Sequence, residues 1–215
     1  MYRRRVKFTR GEEVKFISHL DLIRLWQRAI HRARLPLAYS EGFSPHPRIS
    51  LAAPLPIVVT SETELIDIYL ERPVSPHFFS AAMEQQLPRG IGIIQVYAIA
   101  SHLPSLQSQT SLAEYAVTIA TDKEATEVES AIVSLLSSEH LPWQHLRDTG
   151  TRSYDLRLLI SHLWLIGCDR STCKIGMSLR CDSSGTGRPE QVSRALGFPK
   201  IPQAIHRTGL TLKPA

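Results

Sequence analysis

Two histidines near the start of the sequence are the clearest candidates for proton-transfer chemistry. His19 follows Ser18 at the predicted start of a helix, and His46 lies between two prolines. Imidazole titrates near neutral pH, so the two side chains could serve as general acid and base, with Arg48 stabilising an anion. This interpretation predicts an enzyme that cleaves or modifies RNA. The alternative is that His19 only decorates the first helical turn and that the loop around His46 is only a rigid connection.

Positive charge is concentrated in the same part of the chain. Residues 1–50 hold eleven Lys and Arg against four Asp and Glu, a net charge of +7, whereas all 215 residues together carry a formal net charge of +5. Basic surfaces bind phosphates through counterion release, which favours an RNA partner, although a solvated basic face without a partner is the alternative. Unpaired bases could also stack on nearby rings. The residues predicted to contact nucleic acid are Arg24, Arg28, Arg32, Tyr39, Phe43, His46 and Arg48.

The three cysteines, Cys168, Cys173 and Cys181, are odd in number and lie within one short segment. This pattern is typical of thiols in a reducing compartment rather than of a disulfide framework. We therefore expect no disulfide and no metal site in the chain.

Two further patterns are weak signals. Glu64 and Asp67 are close in sequence, but they should point to opposite faces of a strand and so form no catalytic pair. The segment from Gly185 to Pro189 has the glycines of a phosphate-binding turn without the lysine and spacing of a P-loop, so we favour a flexible linker there.

The elements that must position these residues follow from the hydrophobic pattern. Residues 6–9 and 14–17 flank a turn at residues 11–13 and predict an extended or hairpin-like start of the chain. Ser18 is the predicted N-cap, with Asp21 three residues later, of an amphipathic helix that continues to about Arg34. Pro36 ends it, and residues 37–50 give a strand-like entry into a loop over residues 39–48 that further β-like residues bound. Half-buried strand 64–70, helix 76–87 and strand 91–99 complete a βαββαβ order.

A second unit is predicted beyond a connection at residues 102–111. Its strands are 114–121, 154–160, 174–181 and 204–212, and its helices are 123–138 and 189–196. The same βαββαβ order recurs. The sequence thus predicts an α+β protein made of two tandem ferredoxin-like halves, residues 1–100 and 111–215, with antiparallel sheets and helices on one face. No segment approaches the roughly 18 consecutive apolar residues of a membrane span, so we expect a cytoplasmic protein.

Two sequence segments carry a family resemblance. Residues 16–21 and 38–50, together with residues 54–61 and Asp67, resemble the radical-SAM-linked protein family, an uncharacterised bacterial domain found beside or fused to radical-SAM and cobalamin-binding proteins. The resemblance implies a radical-SAM partner. Radical-SAM enzymes hold their cluster with Cys-x3-Cys-x2-Cys, whereas this chain has Cys-x4-Cys-x7-Cys. The iron–sulfur cluster and S-adenosylmethionine would therefore belong to the partner, and we expect no cofactor in this chain.

Three hypotheses follow for the function. The chain is an accessory or substrate-binding protein of a radical-SAM enzyme that binds tRNA or rRNA through its basic helix and loop. Alternatively, it is an RNA-processing or RNA-modifying enzyme that uses His19 and His46. The third hypothesis is a protein-interaction scaffold whose basic helix docks on an acidic partner without nucleic acid.

Overall fold

The computed structural model describes residues 1–147 and 150–213 of an α+β protein with five α-helices. The chain divides into two compact units. Unit 1 comprises residues 1–110 together with Lys213, and unit 2 comprises residues 111–212. No helix in the described part of the chain is long and apolar enough to cross a membrane.

Unit 1 follows the predicted order of elements. Its elements are β1 (Tyr2–Arg10), α1 (His19–Arg32), β2 (Ile49–Leu51), β3 (Thr60–Leu70), α2 (Pro76–Glu84), β4 (Ile91–Ile99) and the short α3 (Leu106–Gln109). Strand β1 lies between β3 and β4, and β2 pairs with β3. All of these pairings are antiparallel, so the order across the sheet is β4, β1, β3, β2.

The predicted helix α1 is confirmed with its cap. The Ser18 hydroxyl accepts a hydrogen bond from the backbone N–H of Asp21, which satisfies one of the free N–H groups of the first turn. The side chains that α1 buries lie at helical spacing, and Trp26 packs edge-on against Phe8 of β1 with ring centroids 5.0 Å apart. The buried residues of α1 are Leu22, Trp26, Ala29 and Ile30.

Of the two forms predicted for the start of the chain, the extended one is observed as β1 and the hairpin is wrong. Residues 12–14 form a 3-10 turn, and the partners of β1 are the distant strands β3 and β4. The backbone N–H of Gly11 donates to the carbonyl of Gly90, 2.7 Å away, so the turn is held by the other end of the unit. The hydrophobic pattern of residues 6–17 alone could not show that β1 pairs with distant strands rather than with residues 14–17.

Strand β3 is buried along nearly its whole length, so the half-buried strand predicted there is wrong in burial although right in position. The segment 103–110 packs against residues beside β3. Gln109 accepts a hydrogen bond from Arg5 of β1 at 3.0 Å, and the Thr110 hydroxyl contacts the carbonyl of Ala52, just after β2, at 3.4 Å. Residues 60–70 do not reveal such distant contacts by themselves.

Unit 2 contains a four-stranded antiparallel arrangement and an additional hairpin. Strand β9 (Thr172–Asp182) pairs with β5 (Thr110–Ala120) on one side and with β8 (Ile160–Cys168) on the other. Strand β11 (Ala204–Leu212) adjoins β5. The helices are α4 (Ala125–Ser137) and α5 (Pro189–Ala195), and the additional strands are β6 (Pro142–Arg147), β7 (Gly150–Asp155) and β10 (Gly185–Thr186).

Two predictions in unit 2 are corrected by this arrangement. The strand expected at 154–160 is interrupted by a 3-10 turn at Arg157–Leu159, and the strand that pairs with β9 is β8. The segment expected as a linker is instead strand β10, which folds back on β9, and the N–H of Gly187 donates to the carbonyl of Arg180 at 2.8 Å. That N–H group is therefore engaged within the fold and does not face a phosphate.

The structure joins Cys168 and Cys173 in a disulfide, contrary to our expectation. The two residues are directly opposite each other at the ends of β8 and β9, with Cα atoms 4.0 Å apart. Asp169 shapes the turn between them by accepting hydrogen bonds from the backbone N–H groups of Ser171 and Thr172. Because four residues separate the two cysteines in the sequence, one tight turn can bring their thiols together. The number of cysteines and their compartment, on which our expectation depended, do not reveal this.

Candidate functional site

The outward face of α1 carries the predicted arginines. At about 100° per residue, Arg24, Arg28 and Arg32 fall within an arc of about 80°. The buried residues, with Trp26 and Ala29 at their centre, fix the rotation of the helix against the sheet. All three arginine side chains are consequently exposed on the opposite face.

This face forms one wall of a cleft in unit 1. The other wall is the segment after α2, where Gln86 and Leu87 approach the helix. The cleft has a volume of about 440 Å³. Its three arginines and one aspartate give a net charge of +2. We call it the arginine cleft, and its lining residues are Ile17, Asp21, Arg24, Leu25, Arg28, Arg32, Gln86, Leu87 and Pro88.

The three arginines differ in how many hydrogen bonds their guanidinium groups already donate within the protein. Arg24 donates to the Asp21 carboxylate over 3.2 Å. Arg32 donates to the side chain and the carbonyl of Gln86, at 3.2 and 2.6 Å, and so ties the two walls together. Arg28 makes no hydrogen bond or ion pair with any residue that the structure describes. Its whole guanidinium is therefore available to an anion from outside.

Asp21 keeps its negative charge at the end of this cleft over a wide pH range. The Ser18 hydroxyl donates a hydrogen bond to the carboxylate over 2.7 Å, and this bond lowers the pKa of Asp21 below its ordinary value of 3.8. Arg24 lowers the pKa further. The carboxylate thus orients Arg24 and completes the first turn of α1.

The lowered pKa of Asp21 predicts a pH dependence of stability. Because the folded-state pKa lies below 3.8, the carboxylate contributes fully above that value, and its contribution is lost as the pH falls through the lower folded-state pKa. We expect the Tm difference between wild type and Asp21→Asn to be constant from neutral pH to about pH 5 and to close toward about pH 2. Thermal unfolding followed by circular dichroism at successive pH values measures this.

The Ser18→Ala background supplies the control for this experiment. Without the hydroxyl that lowers the Asp21 pKa, the Tm difference should close at a higher pH. A difference that persists unchanged at the lowest pH would show that the Asp21 charge does not stabilise the helix.

The loop after α1 is anchored to the helix through Tyr39. Its hydroxyl lies 2.6 Å from His31 Nε2 and 3.5 Å from Gln27 Nε2. Farther along, the N–H of Ser40 donates to the carbonyl of His46 at 2.9 Å, which closes the loop. Phe43 at the tip is fully exposed. The tyrosine ring is thus held against α1, whereas the phenylalanine ring projects freely.

The structure brings together only part of the predicted site. The three arginines of α1 line one cleft, and Tyr39 borders the same helix. Phe43, His46 and Arg48 lie on the loop and do not line the cleft. For these loop residues, contact with nucleic acid stays a prediction.

The two candidate catalytic histidines have different environments. His19 is half-buried, and its Nδ1 atom is buried without a hydrogen-bond partner among the residues that the structure describes. His46 is exposed, and its backbone N–H donates to the Ser40 hydroxyl at 2.9 Å. Among the described residues, no hydrogen bond or ring contact connects His19 with His46. A general acid–base pair stays a prediction that this geometry does not support.

Four of the eleven Lys and Arg residues among residues 1–50 are buried and so do not contribute to the basic surface. Arg3, Arg4, Arg5 and Arg10 are all at most 8% exposed. Charge counting from the sequence therefore overstates the basic surface. The remaining basic residues of this segment are Lys7, Lys15, Arg24, Arg28, Arg32, Arg34 and Arg48.

Two of the buried arginines converge on Asp67, a role that the sequence did not reveal. The Asp67 carboxylate accepts from Arg3 Nε at 2.7 Å and from Arg5 Nε at 2.8 Å. Arg5 is directly opposite Asp67 in the pairing of β1 with β3. We call these three residues the buried charge cluster. The available signal was a single acid within the apolar residues 65–70 of β3, placed to face a run of arginines in another strand.

Arg10 positions the start of α1. Its guanidinium donates to the carbonyls of Lys15 at 3.0 Å and Ile17 at 2.8 Å, both just before the helix. Its other terminal nitrogen donates to the carbonyl of Leu55 at 3.3 Å. The arginine thus holds the segment from which α1 begins, and with it the rotation of the cleft wall.

The cysteines do not fit an iron–sulfur cluster. Cys168 and Cys173 are joined to each other. Cys181 is buried on the same strand as Cys173, eight residues farther on, which corresponds to about 26 Å along an extended chain. Within the described ranges, no group of three or more His, Cys, Asp or Glu side chains is placed to hold a metal ion. We therefore derive no chemistry from a cluster in this chain.

Comparison with known proteins identifies the family. A match to the family described as "uncharacterized protein conserved in bacteria (DUF2344)" extends over residues 3–189. The chain belongs to this family. The matched range includes the arginine cleft, the loop and the buried charge cluster, so all three are parts of the family domain. No curated protein matches the sequence.

Solved structures show a similar fold at very low sequence identity. One is the "Crystal Structure of a Cbf5-Nop10-Gar1 Complex", with a TM-score of 0.54, 8% identity and coverage of 96% of this chain and 48% of the other. Another is the "Structure of H/ACA RNP bound to a substrate RNA containing 2'-deoxyuridine", with a TM-score of 0.50, 9% identity and coverage of 96% and 47%. The chain thus spans about half the length of these chains, and the likeness concerns the fold alone.

Proposed function

We propose that this protein binds RNA through the arginine cleft and acts as an accessory, substrate-binding protein of a radical-SAM enzyme. The observation that carries the proposal is the row of Arg24, Arg28 and Arg32 at successive turns of α1. Their separation of four residues corresponds to about 6 Å along the helix axis, so one anionic backbone can contact them in succession. Arg28, in the middle, has its donors available.

The fold comparison adds support of a weaker kind. One of the similar structures is titled as an RNP bound to a substrate RNA. A shared fold does not establish a shared function, so this likeness supports RNA binding only as an analogy. The electrostatic argument from the cleft stands independently of it.

The proposal also includes a finer description of the fold, in which both units are ferredoxin-like. Unit 1 has the sheet order β4, β1, β3, β2, and unit 2 has the corresponding order β11, β5, β9, β8. Helices α1 and α2 in unit 1 correspond to α4 and α5 in unit 2. The hairpin of β6 and β7 and the short β10 are additions in unit 2.

The radical-SAM partner is proposed from the family resemblance of residues 16–21 and 38–50. The cysteines of this chain do not suit a cluster, so the partner would bring both the cluster and S-adenosylmethionine. The chain's part is to bind and present the RNA. Because the partner would carry out the reaction, the cleft can act as a binding surface without an assembled acid–base pair in this chain.

Binding of tRNA, rRNA fragments and unrelated RNA as a function of salt concentration tests RNA binding directly. Three phosphate contacts predict that log K falls against log salt with a slope of about −2 to −3. Filter binding or fluorescence anisotropy measures the slope. No affinity for any of these RNAs at low salt would overturn the proposal, and co-purification with an acidic protein that survives nuclease treatment would favour the scaffold hypothesis.

A further inference from the structure

One face of the sheet in unit 2 carries an uncovered aromatic surface. Along β9 the side chains alternate between the two faces of the sheet. Cys173, Ile175, Met177 and Leu179 point into the core and are completely buried. The intervening residues Lys174, Gly176, Ser178 and Arg180 belong to the opposite face, which carries the aromatic residues described below.

Trp164 of β8 lies flat on this face. It is directly opposite Gly176 of β9 in the register. A Cβ atom at Gly176 would come within 2.0, 2.3 and 2.4 Å of three atoms of the indole ring. Three nearly equal distances mean that the ring plane covers the glycine backbone rather than meeting it edge-on. The glycine therefore makes room for the ring, which stays partly exposed on this face of the sheet.

His162 extends this flat surface along the same strand. Its ring is 5.6 Å from the Trp164 ring, centroid to centroid, with 21° between the planes. His162 is exposed and lies opposite Ser178, which is only 6% exposed. The two rings are thus nearly parallel and stacked on each other, and their residues lie opposite Gly176 and Ser178 of β9.

Positive charge flanks the two rings. Lys174 and Arg180 are exposed on the same face of β9, respectively two residues before Gly176 and two residues after Ser178. Glu114 of β5 is the acidic residue opposite Ser178, and its carboxylate packs beside Gly209. Asp182 lies two residues beyond Arg180 on the same face, so Lys174 and Arg180 are the cations beside the rings and two carboxylates lie farther from them on the sheet.

We infer that Trp164 and His162 form a stacking site for unpaired bases of single-stranded RNA, with Lys174 and Arg180 contacting the adjacent phosphates. Every base has a flat π face, so an aromatic platform with flanking cations binds single strands with little sequence preference. The inference rests on the proposed function for its ligand, and it adds a base-binding site in unit 2 to the phosphate-binding cleft in unit 1. A duplex cannot use such a site because its bases are already stacked.

Anisotropy of a labelled single-stranded RNA of about ten nucleotides, compared with its duplex, tests the inference. We expect Trp164→Leu to weaken single-strand binding about tenfold and to leave duplex binding unchanged. The salt slope should stay the same, since no phosphate contact is lost. Trp143→Leu, a half-buried tryptophan of β6, is the matched control and should bind as wild type does.

Two further measurements separate the possible outcomes. His162→Ala changes only an exposed ring and should weaken single-strand binding in the same direction, and single-stranded RNA should quench a tryptophan signal that Trp164→Leu lacks. If Trp164→Leu and His162→Ala bind the single strand as wild type does while Arg28→Glu does not, the stacking site is overturned and the cleft stands. If wild type binds neither RNA, both proposals fall.

Discussion

An Arg28→Glu variant is expected to bind RNA roughly 10- to 100-fold more weakly than the wild-type protein at low salt. A hydrogen bond to a charged group contributes about 1.5–3 kcal/mol, which corresponds to this range of affinity. Arg28 is the arginine of the cleft whose donors no described residue engages, so its loss removes a contact to the ligand and none within the protein. The salt slope should also become shallower by about one unit.

The variant should remain folded, which makes the result interpretable. A glutamate at position 28 lies one turn from both Arg24 and Arg32 and forms favourable pairs with them on the helix surface. The helix content seen by circular dichroism and the Tm should therefore stay at wild-type values. Any loss of affinity then reports on the cleft rather than on unfolding.

Arg72→Glu is the matched control for this experiment. Arg72 is exposed in the same unit, lies outside the arginine cleft and undergoes the same change of charge. We expect its affinity for RNA to fall by no more than about threefold, through screened long-range attraction alone. Equal weakening in both variants would mean that RNA responds to overall charge and that the cleft is not the site.

Replacing Asp67 by asparagine is expected to destabilise unit 1 by about 3–5 kcal/mol. The side chain is completely buried and accepts hydrogen bonds from both Arg3 and Arg5. Removing its charge leaves two guanidinium groups in the interior without a counter-charge, and desolvation makes that state costly. A decrease in Tm of about 10 °C, measured by calorimetry, is the expected result.

Two variants separate charge from packing in this cluster. Glu71→Gln removes an exposed carboxylate just after β3 and should change stability by no more than about 0.5 kcal/mol. Replacing the whole cluster with apolar residues, as Arg3→Met, Arg5→Met and Asp67→Leu together, should recover most of the lost stability because the cluster then contains no unpaired charge. If Asp67→Asn has the same Tm as the wild-type protein, the cluster contributes no electrostatic stability.

Helix α1 shows what the sequence predicts well. Its cap at Ser18, its buried Leu22 and Trp26, and its outward arginines all depend on residues within a few turns of one another. Such local rules needed no knowledge of the rest of the fold. The bounds of β4 and β11 were also predicted correctly, since each is a short apolar segment between clear turns.

The buried charge cluster shows what the sequence could not predict. Arg3 and Arg5 look like surface charges until their strand is paired with β3, about sixty residues away. The same holds for Trp164, whose place on the sheet depends on Gly176 being opposite it. Register between distant strands is set by the whole core, so residue types alone do not reveal it.

The central position of β1 has a consequence for how the protein forms during synthesis. This strand is synthesised before both of its neighbours in the sheet, and one of them is β4, where Val96 pairs with Val6. Protein synthesis adds about 5–20 residues per second, so the edge of β1 that pairs with β4 has no native partner for roughly 5–20 s. During that interval its unpaired edge and the three consecutive arginines Arg3, Arg4 and Arg5 are open to other molecules. An anionic surface near the growing chain can therefore contact these arginines before the sheet of unit 1 encloses them.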